Sequence, residues 1–408
     1  MGLLKNISIL LLLLPLKAIA QNSNDMVYRR SSLYQLMIGH LNQEYSAQIK
    51  TTFLNLPISD HYNDHNLSVR VVEMPQKLKN AGKDFENDSI TAFLERNLIA
   101  SRLVAKWFNR DINNGVCDMS LVKSRGLYNA SEFDRQLAMQ SVRGKALLED
   151  AGEDLISNTF VVVNDIRYYN KNQGAQIAAG IVGGLIAIAG KGTESAQKNA
   201  ESTANLISSL KGFAVKINSF LYQLVWDDDT ANKFYATQYE VTPDEAKYKA
   251  FEDGRSDYKL KYIGKVKSSG STTSFLGISE KHPEQMFAKA LQRAIDENIV
   301  DLQQEFEVFR VKSPLISTEP LKAYIGMKEG VTEKSRYEVL EAYESEDGKC
   351  KYKRVGIIAP EPNMIWDNRY MADLEKANNS GLNATTFKKI SGKGFVNGML
   401  IREIAKAK

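Results

Sequence analysis

The spacing of apolar residues along this chain changes character several times, and each change marks an element. Between Ser31 and Glu73, Leu33, Leu36, Met37 and Leu41 fit one side of a short helix or a strand, and the pattern leaves both open. Pro57-Ile58-Ser59-Asp60 breaks it, and His61 to Asn66 reads as a polar loop. Val69, Val71 and Val72 suit a short strand, and Met74 to Asp88 is polar and lysine-rich, as surface loops are. From Ser89 to Asp154 the period turns helical. Leu94, Leu98, Leu103 and Phe108 recur at helix spacing, and Ser131-Glu132-Phe133-Asp134 resembles a capping box that opens a helix running to about Gly152. Thr159 to Val163 is then a β-branched and aromatic run, the mark of a buried strand.

The middle of the chain carries the most unusual pattern. Apart from Gln176, Ala175 to Gly190 holds only Gly, Ala, Ile, Val and Leu. A polar stretch to Asn205 leads into Leu206, Ile207 and Leu210, with Gly212 as a helix stop. Phe220 to Trp226 and Phe234 to Tyr239 flank Asp227-Asp228-Asp229-Thr230, which predicts a hairpin. Tyr258 to Val266 suggests a further strand, and Ser268 to Ser274 a flexible link. Pro283 to Phe306 predicts a long helix, with Phe287, Leu291, Ile295, Ile299, Leu302 and Phe306 in one apolar stripe. Its opposite face, with Lys289, Arg293, Asp296 and Glu297, reads as solvated. Ser313-Pro314 and Glu319-Pro320 mark a boundary. Beyond it, Tyr337 to Tyr343 and Tyr352 to Ile358 flank Glu346-Asp347-Gly348, a hairpin in a small β-rich domain spanning 313–408.

The first twenty residues change the picture of where the protein works. Lys5, the apolar run Ile7 to Leu16, and Ala18-Ile19-Ala20 are the three parts of a cleavable export signal, residues 1–20, leaving Gln21 at the mature N-terminus. The expectation is an exported protein of the periplasm or the outer-membrane periphery. Cleavage removes Lys5 and Lys17 and so lowers the formal net charge of +4 by two. The basic residues are scattered among acids, which gives no drive toward nucleic acid. Cys117 and Cys350 lie far apart in sequence, and two lone thiols are the expectation over a disulfide.

Candidate chemistry is sparse. Gly184 to Gly190 before Lys191 lacks the spacing and the hydroxyl of a phosphate-binding loop, since Gly192 stands where Ser or Thr belongs. Asp227-Asp228-Asp229 lacks the alternating ligands of a calcium loop. Asp60, His61, Asp64 and His65 lie within six residues, and on a helix the two imidazoles would share a face fit for zinc or copper. Pro57, Asp60 and Asn63 favour a polar loop instead, so these four stand only as weak metal candidates. No catalytic set and no cofactor site is evident. Gly180 and Gly184, four apart, would give a helix a smooth strip for close approach of a second backbone. A helix over 175–190 rises about 24 Å, short of the roughly 30 Å of a bilayer core. A packed internal helix and a contact with a second copy or with membrane both remain open.

The order of signals resembles the curli-secretion-channel family and its soluble periplasmic relatives. The likeness is carried by Val122-Lys123-Ser124-Arg125-Gly126-Leu127, by Glu149 to Leu155, and by Phe160 to Ile166. Ser157-Asn158-Thr159 replaces that family's Leu-Gly-Ala-Asp turn. Gly326 to Val331 followed by Arg336 to Val339 is similar to the small β-domain of flagellar basal-body accessory proteins, and Trp366 to Tyr370 to a segment of exported envelope proteins. The resemblance implies an α+β or α/β fold: a three-layer-like domain of mixed sheet and helices over 21–312, with a Gly/Ala-rich helical insertion at 174–211, then the β-rich domain. It implies a non-enzymatic protein that assembles with itself or with an envelope partner, with possible peripheral membrane contact. The alternatives are a membrane-inserting oligomer or pore subunit using residues 175–190, and a hydrolase or metal-dependent enzyme.

Overall fold

The computed structural model describes residues 29, 31–40, 46–75, 82, 84–128, 155–170, 213–267, 271–272, 283–344, 350–374 and 381–405. The export signal, the expected helix from Ser131 and the 174–211 insertion with Gly180 and Gly184 lie outside them.

Strand β1 (Ser32–Gly39) resolves the ambiguity left by the sequence pattern. Leu33 and Met37 point to one core, while Tyr34, Leu36 and Ile38 point to the other, so both faces are buried. A strand covered on both sides shows no polar alternation, which is why its period is hard to read. Parallel partners flank it: β2 (Asn63–Asp64) and β3 (Val71–Glu73) on one edge, β4 (Thr159–Asn170) on the other. The sheet then turns antiparallel through β5 (Phe213–Leu224) and β6 (Leu260–Lys267), with β7 (Ser271–Thr272) beside the start of β5.

Helices cover both faces. Helix α1 (Ser46–Asn55) contributes Ile49 and Phe53 to one core. On the opposite face lie α2 (Phe85–Arg96), α3 (Ile99–Trp107) and α4 (Ser120–Tyr128). Two short helices, α5 (Asp228–Thr237) and α6 (Glu245–Asp253), add Phe234 and Phe251 to that second core. The long α7 (Pro283–Glu305) returns to the α1 face and buries Leu291, Ile295, Ile299 and Leu302. A buried polar chain ties the layers together. Asn164 Nδ2 donates to Leu36 O (3.2 Å), Ser219 Oγ donates to Asn164 Oδ1 (2.6 Å), and Asn298 Nδ2 donates to Ser219 Oγ (2.6 Å). Such a chain forms in only one register of β1, β4, β5 and α7.

The predicted hairpin at Phe220 to Tyr239 is replaced by something else. β5 pairs backwards with β4, and the second half is helix α5. Asp227 caps it, its carboxylate accepting from Thr230 N (2.9 Å), and Asp228 and Asp229 occupy the favourable first turn. Beyond α7 the strands β8 (Ser313–Thr318), β9 (Leu321–Ala323), β10 (Tyr337–Glu344), β11 (Cys350–Pro360), β12 (Thr385–Gly392) and β13 (Leu400–Glu403) close a barrel in the order β10-β11-β12-β9-β8-β13. The β10–β11 pairing follows the predicted hairpin, with Tyr337 opposite Ile358. The barrel has its own core, including Leu315, Val339, Ile358, Phe387 and Ile401. Mixed sheet, helices on both of its faces and an antiparallel barrel make this an α+β fold.

Candidate functional site

The four metal candidates are drawn apart. Their segment is a turn leading into β2 rather than a helix, so Asp60 and His61 face the barrel together while His65 is sent to the other side. His61 Nε2 lies 3.3 Å from Glu329 Oε1 of the barrel, and Asp60 Oδ2 accepts from Lys328 Nζ at 2.8 Å. His65 turns the other way and stacks on Trp107, ring centroids 5.1 Å apart. Its Nε2 contacts Leu103 O and its Nδ1 contacts Arg125 Nη1, both at 3.0 Å. One nitrogen donates and the other accepts, which leaves no lone pair for a metal. Burial, then the Arg125 charge, holds the imidazole down to a pKa of about 3, so it is neutral. Asp64 is exposed and accepts from Asn66 N at 2.8 Å. Among the described residues no group of three or more His, Cys, Asp or Glu is placed to hold a metal ion.

Cys117 is buried and free, its thiol directed at Gly115 O (3.4 Å), while Cys350 opens β11 in the barrel. Burial pushes the Cys117 thiol up, away from the reactive thiolate.

A different set of residues gathers at the carboxyl end of β1. β1 stops at Gly39 and β3 at Glu73, and helices α1 and α2 begin beside them on opposite faces of the sheet. In open sheets with parallel strands, this reversal of helix side leaves a crevice beyond the strand ends, where ligands commonly sit. Here it is a cleft of ≈1230 Å³. Met37, Ile49, Val71 and Phe85 line its apolar part. Its polar part centres on His40, whose Nε2 is 2.6 Å from Asp165 Oδ1. Arg167 Nε donates to the same carboxylate at 3.0 Å. Asp165 is 5% exposed and His40 21%. Burial alone would raise the Asp165 pKa, but the His40 hydrogen bond and the Arg167 charge outweigh it and hold the carboxyl below its usual range. Braced at Nε2 by an ionised carboxylate, the imidazole is fixed in orientation at the edge of the cleft.

The sequence hid this site because its parts are 125 residues apart, and because Asp165 and Arg167 belong to a strand extension no pattern announced. β4 pairs with β1 only as far as Met37 opposite Asn164, then continues with β5 to Asn170 opposite Phe213. The cleft therefore lies at the foot of a β-ribbon.

The expectation of a solvated polar face on α7 also changes. Lys289 is 1% and Asp296 6% exposed, whereas Glu297 stays exposed, and the barrel unit packs against the helix at Arg293, Asp296 and Val300. The stretch from Gly326 singled out in the sequence supplies the covering residues, including Lys328 and Glu329, whose partners on the sheet unit no spacing rule connects to them. No protein-family model matches the chain, and no curated protein matches it either.

Proposed function

We propose that this chain is a non-enzymatic exported protein that acts by assembly, with itself or with an envelope partner, through the segment carried on the β4–β5 ribbon. The observation that carries the reading is the register Asn170 opposite Phe213. The intervening 171–212 therefore starts and ends on paired neighbours, and no described strand pairing depends on it. Both sheet faces already receive helices from elsewhere in the chain, α1 and α7 on one and α2 and α3 on the other. The apolar composition of Ala175 to Gly190 supports cover by a second molecule. The cleft lies at the foot of the ribbon that leads to this segment.

The same register favours a second reading, a membrane-inserting oligomer using residues 175–190. One experiment separates the outcomes. Residues 171–212 are replaced by an Asn-Gly turn joining Asn170 to Phe213, a connection suited to a two-stranded ribbon. The expected variant keeps its near-ultraviolet circular dichroism and melting point but is monomeric by light scattering, where the parent chain is assembled. A carbonate-resistant membrane fraction lost with the segment favours insertion over a protein partner. A variant that unfolds would make the segment part of the core, and one with unchanged assembly and partition would remove it from function; either result overturns the proposal.

A further inference from the structure

The barrel meets the sheet unit along α7. Gly330, at φ 76°, lies so close that a Cβ there would stand 2.6 Å from Val300 Cγ1. Arg293 Nε and Nη2 donate to Tyr370 O at 3.1 and 3.0 Å. Beside these contacts three elements bring charges together: Asp60 and His61 from the turn before β2, Asp296 from α7, and Lys328 and Glu329 from a 3-10 turn at Met327–Glu329. Glu329 Oε2 accepts from Gly326 N (2.7 Å) and Asn368 Nδ2 (2.6 Å), and its Oε1 faces His61. Asp296 Oδ1 accepts from Gln292 Nε2 at 2.9 Å, but Asp296 Oδ2 and Gln292 Oε1 are buried without a hydrogen-bond partner.

We propose that this seam is a pH-sensitive joint, in which protonation of Asp296 holds the barrel against the sheet unit and its ionisation loosens the contact. An ionised carboxylate buried with one oxygen unpartnered is costly, and more so facing other carboxylates. The groups facing Asp296 are Lys328 and Glu329 from the barrel and Asp60 from the turn, with Gln292 on its own helix. Lys328 is the opposing cation, and it is already bonded to Asp60.

The direction follows from the two states of the joint. Closed, Asp296 is raised to about 7, first by burial and further by the negative charges of Glu329 and Asp60, with Lys328 and Gln292 opposing. Open, the carboxyl returns toward its ordinary 3.8. The closed joint keeps a proton that the open one releases. Its stability is therefore full in acid, declines as the pH climbs from about 4 to about 7, and is level above that. Asp60 and Glu329 are held below their ordinary values, so their contributions are lost only in stronger acid and do not mask this window.

Hydrogen exchange of the full chain tests the joint, with rates corrected for their intrinsic pH dependence. From about pH 5 to about pH 7.5, exchange over 326–331 should rise about tenfold or more, while Val161 to Val163 in the sheet centre stay unchanged. Asp296→Asn should abolish the rise. His61→Gln, which cannot titrate but still reaches Glu329, should keep it. Lys328→Met removes the cation that lowers the Asp296 pKa, so the rise should extend to higher pH. This last variant keeps the test open if Asp296→Asn does not fold. A parent chain with no rise overturns the joint. So does a rise that survives in Asp296→Asn, one that vanishes in His61→Gln, or one whose midpoint ignores Lys328→Met.

Discussion

Arg125 fastens three parts of the sheet unit at once. From α4 its guanidinium donates to Ser32 Oγ (2.8 Å), Asp64 O (3.0 Å) and His65 Nδ1 (3.0 Å), and it lies 4.4 Å from the Trp107 ring centroid. This explains why His65 must stay neutral: a proton on Nδ1 would meet a cation in a buried site. The pH dependence follows. Folded His65 is depressed to about 3 from an ordinary 6.5, so its share of stability is present above 6.5 and is lost as the pH falls toward 3. His65→Asn removes that proton uptake. Between about pH 7 and pH 4.5 the parent chain should lose about 2–3 kcal/mol more stability than the variant, as read by urea denaturation. Equal losses would show that His65 titrates normally. None of this was legible in the sequence. The run Asp60 to His65 showed two imidazoles at a metal-like spacing, but turn and strand geometry send His61 to the barrel and His65 to Trp107.

Elements were legible where one face is buried and one is wet, or where a long period leaves no choice. Helix α7 and the β10–β11 hairpin follow the predicted spans closely. Helix α5 does not, because its aromatic density imitates a strand. Phe234, Tyr235 and Tyr239 pack with Phe108 in one aromatic cluster, and Phe234 and Phe108 have ring centroids 4.5 Å apart. The cap at Asp227 and Thr230 was the signal that outweighs that composition. Close approach is the other property a pattern does not display. Gly264 in β6 lets the far end of the Phe306 ring close onto the strand, and a Cβ there would stand 2.3 Å from its Cζ. Gly264→Ala should cost about 1–3 kcal/mol in chemical denaturation, and adding Phe306→Ala should leave the pair less than additive. Additive losses would mean the ring already has room to move.

At the scale of the whole molecule, the two β systems have separate cores but share a charged seam. Residues 313–408 made alone are expected to close their barrel and give a dispersed NMR spectrum, since the core of Leu315, Val339, Ile358 and Phe387 draws nothing from the sheet unit. A collapsed spectrum would show that α7 is needed to complete it. Order along the chain carries a further consequence. β1 comes first yet sits between later partners, α7 covers the sheet only after β6 is made, and β13 bonds to both β10 and β8 to finish the barrel. A chain that folds from its N-terminal end therefore keeps a half-covered sheet until α7 is in place, and unpaired strand edges until residues 400–403 dock. On the export reading proposed above, that hazardous interval falls after passage across the membrane. The loss of a chaperone outside the cytoplasm that shields unpaired strands would then reduce the yield while leaving every finished molecule as stable as before.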